Sequence, residues 1–89
     1  MSVEIEVLDQ LLGGDMPLSV VVSLFPDEAY ARRAIVAMLT DGELALRDPD
    51  GLTLSLSQVR ELERQPSPWN RHTQYRLALT DAGARRLGY

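Results

Sequence analysis

The feature that most constrains this chain is a change of apolar period at Gly42. Before it, Ala31, Ala34, Ile35, Met38 and Leu39 recur at three and four residues, the spacing that holds side chains on one face of an α-helix. After it, Leu44 and Leu46 alternate with Glu43, Ala45 and Arg47, and Leu52, Leu54 and Leu56 alternate with Thr53, Ser55 and Ser57. That is the two-residue period of a strand. Asp48-Pro49-Asp50-Gly51 lies between the two runs and supplies Pro and Gly at turn positions, so a β-hairpin is expected there.

The flanking segments extend the pattern. Val3, Val7, Leu8, Leu11 and Leu12 share one side of a helix that Gly13-Gly14 ends. Asp15 and Pro17 form a start signal for a second helix, Leu18 to Phe25, whose three valines lower its propensity. Pro26 forces Phe25 out of the helical region, and Asp27-Glu28 open the third helix, which runs to Gly42 as its C-terminal cap. Ser57 is expected to cap a short helix through about Arg64, with Val59 and Leu62 on its inner side. A last strand spans roughly Thr73 to Leu79, and Thr80 caps a C-terminal helix through Leu87, interrupted by Gly83. The expected order is three helices, two strands, a short helix, a strand and a helix.

Eighty-nine residues, 45% of them apolar, suit a single α+β domain spanning 1–89. The longest apolar run, the six residues from Ala34 to Leu39, is far shorter than the roughly 20 residues that cross a bilayer. Glu4, Glu6 and Asp9 stand where a signal peptide needs bases, so a cytoplasmic, membrane-free protein is expected. Zero cysteines and the single His72 exclude disulfides, thiolate catalysis and histidine-based metal clusters. No phosphate-binding loop, dinucleotide fingerprint, nucleophile elbow or zinc-protease motif occurs, and Asp48-Pro49-Asp50-Gly51 reads as a turn rather than a carboxylate pair. Neither an enzymatic activity nor a cofactor is expected.

The net charge of −4 is unevenly spread. Residues 1–31 hold six acids and no base, whereas residues 57–89 hold six arginines against Glu61, Glu63 and Asp81. All nine bases are Arg, which follows from a GC-rich genome or from the suitability of the guanidinium fork for phosphate and guanine.

Two stretches carry a resemblance. From Ala31 to Leu46, A-x-x-x-I-x-x-M-L-x-x-G-E-L-A-L resembles the third helix and first strand of bacterial winged helix-turn-helix regulators, including MarR-like and PadR-like groups. Ile35 and Met38 stand seven and four positions before the helix-ending Gly42. From Tyr75 to Leu87, Y-R-L-A-L-T-D-A-G-A-R-R-L is similar to the last strand, capping threonine and final helix of the same regulators. The resemblance implies a winged helix: a three-helix core, a β-hairpin plus third strand and a C-terminal helix, with the wing enlarged by a short helix. It implies a small regulator of transcription that binds double-stranded DNA.

Carried onto this chain, the resemblance puts Tyr30, Arg32 and Arg33 on the exposed start of the third helix, in a major groove. Arg64, Trp69, Asn70, Arg71 and His72 fall on or near the wing, with Arg71 and His72 holding the backbone. Other readings stand beside these. Arg32 and Arg33 could pair with Glu28, Tyr30 could pack against the wing, and Trp69 could be a lid over the core or stack on a base. Asp27 and Glu28 depart from the pattern, because they favour the helix dipole while opposing phosphate. The rival function is a winged helix protein-interaction module whose acidic N-terminal part meets a basic partner. A homodimer through the first and last helices is compatible with either.

Overall fold

The computed structural model describes residues 3–65, 69 and 74–89. Chain order is α1 (Val3–Leu11), β1 (Met16–Pro17), α2 (Leu18–Val22), α3 (Glu28–Thr40), β2 (Leu44–Arg47), α4 (Leu56–Arg64), β3 (Arg76–Leu79) and α5 (Asp81–Arg86). The three strands form one antiparallel sheet in the order β1-β3-β2, so the last strand lies between the other two. Leu77 at its centre pairs with Met16 on one side and Leu46 on the other. Val7, Leu8 and Leu11 of α1, Leu18 and Val21 of α2, and Ala31, Ile35, Met38 and Leu39 of α3 bury their apolar stripes with Leu46 and Leu77 in one core.

The third helix has the ends its sequence prescribes. The Asp27 carboxylate accepts from the Tyr30 amide at 2.7 Å, satisfying one of the unpaired donors of the first turn. At the other end Gly42 has φ +77°, its N–H donates to the Leu39 carbonyl at 3.1 Å, and the Glu43 N–H reaches the Met38 carbonyl at 3.0 Å. These two bonds are the Schellman pattern, which needs a left-handed residue at Gly42.

The C-terminal helix docks on that same turn. The Thr80 hydroxyl accepts from the Gly83 N–H and donates to the Gly42 carbonyl, while the Thr80 N–H donates to the Glu43 carbonyl at 3.2 Å. The Glu43 carboxylate, almost buried, takes both of its hydrogen bonds from Arg86 Nη1, at 2.7 and 3.0 Å. This approach explains the glycine inside α5: a Cβ on Gly83 would overlap the Glu43 carbonyl oxygen.

Five expectations are corrected. The second strand of the hairpin, Leu52 to Leu56, does not form. The turn closes as expected, with Asp48 Oδ1 accepting from the Asp50 and Leu52 amides, but pairing beyond it shrinks to the Arg47–Thr53 bridge and one bond from Leu54 N–H to the Leu46 carbonyl. Leu52 and Leu56 are exposed, since no layer faces them. Ser55, not Ser57, caps α4, because only Ser55 has Gln58 three residues on, and the two close a reciprocal capping box. The third strand of the sheet is instead Met16–Pro17, read above as a helix start. Pro17, lacking an N–H, fits an edge strand and stands at the N-cap position of α2 without a side-chain cap bond, and α2 stops at Val22 rather than Phe25. The last strand begins at Arg76, and Thr73 lies outside the described residues.

Gly83→Ala is expected to destabilise the domain by at least about 2 kcal/mol, because backbone rather than a flexible side chain must give way. Gly42→Ala, with open space but a left-handed backbone, is expected to cost only about 1 kcal/mol. Thermal unfolding should show the larger drop in Tm for Gly83→Ala, at roughly 4–8 °C per kcal/mol for a domain of this size.

Candidate functional site

The N-terminal half of α3 is where sequence placed the DNA-reading residues, and its neighbours decide what those residues can do. Among the described residues α4 packs against α3 through its buried Val59 and Leu62, and Trp69 is buried beside them with its indole N–H donating to the Leu62 carbonyl at 2.8 Å. Trp69 is therefore part of the core rather than a surface ring.

Arg32 points into this junction. Its guanidinium carbon lies 5.5 Å from the centre of the Trp69 ring, and Nη1 donates to the Glu63 carbonyl at 3.4 Å. Nη2 is 3.7 Å from the Glu28 carboxylate one helical turn back. Nε is buried and makes no hydrogen bond among the described residues. With its side chain only 26% exposed, Arg32 closes the seam between α3 and α4. Its expected exposure is corrected on that account.

Tyr30 is also half-buried, and it faces α1. Its ring packs against Phe25 at 5.5 Å between centroids, and its hydroxyl donates to Glu4 Oε1 at 3.4 Å. Arg33 is exposed, and its side chain has no hydrogen bond or ion pair among the described residues. It shares the solvent face of α3 with Ala29, Ala37 and Thr40, whose hydroxyl is turned back to the Val36 carbonyl at 2.8 Å. That face thus offers one long donor, at a helix start flanked by Asp27 and Glu28.

The remaining bases divide into held and free. Arg47 pairs with Asp15 at 2.7 Å, Arg76 donates to the Asp15 carbonyl at 3.1 Å across the same end of the sheet, and Arg86 holds Glu43. Arg60, Arg64 and Arg85 are exposed without such partners among the described residues. Arg64 lines a shallow groove of about 450 Å³ on the outer side of α4 with Leu56, Ser57, Arg60 and Glu61. Asn70, Arg71 and His72 lie outside the described residues. The structure thus joins Arg32 to Trp69 and leaves Tyr30 and Arg33 on separate faces. Arg60 was missed by the sequence reading. Its signal is the spacing Leu56, Arg60, Arg64, one stripe of a helix once the start is set at Ser55.

Among the described residues no group of three or more acidic, histidine or cysteine side chains could hold a metal, and no helix is long and apolar enough to cross a membrane. The chain matches no family model, and neither a curated protein nor a solved structure is significantly similar to it.

Trp69 is the only tryptophan, so its fluorescence reports this junction. Arg32→Ala should shift the Trp69 emission and lower stability by about 1 kcal/mol, the scale of a partly desolvated cation–π contact and its packing. Arg33→Ala should change neither by more than about 0.5 kcal/mol in urea unfolding.

Proposed function

We infer that the chain is a winged helix domain that works as a protein-interaction module rather than as a reader of DNA sequence. The order α1-β1-α2-α3-β2-α4-β3 with β3 between β1 and β2 supports the winged helix reading, in which α2 and α3 are the helix-turn-helix and the excursion from β2 to β3, with α4 in it, is the wing. The observation that carries the functional part is the position of Arg32. One of the two bases on α3, Arg32, lies over Trp69 and is bonded to the Glu63 carbonyl, beside a helix from the excursion between β2 and β3.

What remains on α3 is a poor reader. Base-edge recognition in a major groove uses long donors and acceptors in pairs, and the outer face of α3 has Arg33 among alanines and a self-satisfied threonine. Phosphate binding draws on several cations, and here Asp27 and Glu28 stand at the approach. The domain keeps a helical scaffold with two charged, exposed outer helices, which is a suitable frame for docking another polypeptide.

Fluorescence anisotropy with a labelled mixed-sequence duplex at low salt tests this reading. No binding is expected up to about 100 µM protein, weaker than typical non-specific DNA affinity. Salt-sensitive binding that is lost in an Arg33→Ala variant would overturn it in favour of a DNA-binding regulator.

A further inference from the structure

Two shallow grooves carry opposite charge beside apolar side chains. The first, of about 650 Å³, lies between α1 and the end of α5 and is lined by Ile5, Glu6, Asp9, Gln10 and Leu87. The second, on α4, presents Leu56, Arg60 and Arg64. Glu6, Asp9, Arg60 and Arg64 are all exposed, and none makes a side-chain hydrogen bond or ion pair among the described residues.

Each face is incomplete by itself. Asp9 sits in the last turn of α1, at the negative end of the helix dipole, and that turn contains no base. Glu6, three residues earlier, adds like-charge repulsion along the same helix. Both carboxylates stand where a cation from outside the chain segment would relieve them. The α4 helix also carries Glu61 and Glu63, but only Glu61 lines the groove beside the two guanidiniums, and Leu56 is left half exposed at the head of their stripe.

We propose that these faces bind each other between copies of the chain, α4 of one copy seated in the α1–α5 groove of the next. The proposal rests on the reading of the domain as an interaction module and names its partner as a second copy. Arg60 and Arg64 meet Glu6 and Asp9, and Leu56 meets the apolar wall of Ile5 and Leu87. Because the two faces differ, the contact is head-to-tail, and a bound pair leaves one face of each kind open for growth into a ring or a filament. A two-fold contact centred on the α1 groove is disfavoured, since it would bring Glu6 and Asp9 of both copies together.

Sedimentation or light scattering at low salt tests the pairing. The mass is expected to rise above the 9.9 kDa monomer with concentration up to about 500 µM, and to fall back in about 0.5 M salt. Two double variants, Glu6→Gln with Asp9→Asn and Arg60→Gln with Arg64→Gln, change exposed side chains only, and Trp69 fluorescence verifies their folding. Each alone should remain monomeric, and a 1:1 mixture should form a heterodimer that grows no further. A wild-type protein that stays monomeric, a double variant that still associates alone, or a mixture that does not pair would each overturn the proposal. A monomer that also ignores duplex DNA removes this partner while the interaction reading stands. Duplex binding lost in the Arg60→Gln, Arg64→Gln variant overturns that reading itself.

Discussion

The structure depends on the insertion of β3 between β1 and β2. Leu77 must reach both Met16 and Leu46, from positions 61 and 31 residues away in the chain, before the sheet has a centre. The excursion that precedes it leaves the sheet at Arg47 and returns directly opposite, at Arg76. Closing those 28 intervening residues costs on the order of 3 kcal/mol in chain entropy before any contact is gained. An excursion so anchored cannot be left solvated without loss. Val59, Leu62 and Trp69 fold it back onto α3, and their burial, on the order of 2 kcal/mol for each side chain, offsets closure and ordering.

The strand and helix periods made α1, α3 and the strands at Leu44 and Leu77 legible, because each presents an apolar face, and α5 was legible from its Thr80 cap. Asp27, Gly42 and Thr80 all stand where a helix end was expected. Two local errors have different causes. The alternation of Leu52, Leu54 and Leu56 has the period of a strand, yet pairing along the free edge of β2 ends at Thr53 and Leu54, where the Ser55–Gln58 capping box starts a helix. Met16–Pro17 is too short to show any period, and it is a strand only because β3 supplies its partner.

The candidate site was legible in its residues but not in their directions. Sequence placed Arg32 and Arg33 side by side on the start of α3, and successive helical residues point about 100° apart. Which of the two faces solvent depends on what lies alongside, and that is α4, a helix from the excursion. Trp69 decides between them: buried with its N–H on the Leu62 carbonyl, it leaves a ring face for one guanidinium and takes Arg32. The acids at the helix start have a complementary explanation. Asp27 caps the helix and Glu28 reaches Arg32, so both are structural at the position where a nucleic acid would meet them as repulsion.

The same excursion therefore acts twice. By covering one flank of α3 it withdraws a cation from the surface that the winged helix reading assigns to nucleic acid. By folding as a helix it sets Arg60 and Arg64 outward on a new face, four residues apart. Among the described residues the arginines of the C-terminal half are thus redistributed rather than lost: Arg47, Arg76 and Arg86 are bound to acids or carbonyls that hold the sheet and α5, and the free ones, Arg60, Arg64 and Arg85, lie on α4 and at the end of α5. Two guanidiniums on a short rigid helix make a small, directional target, suited to a pair of carboxylates at similar spacing. The phosphates of a duplex call instead for many cations spread along a groove. The proposed docking role rests on the direction of these charges more than on the total of −4.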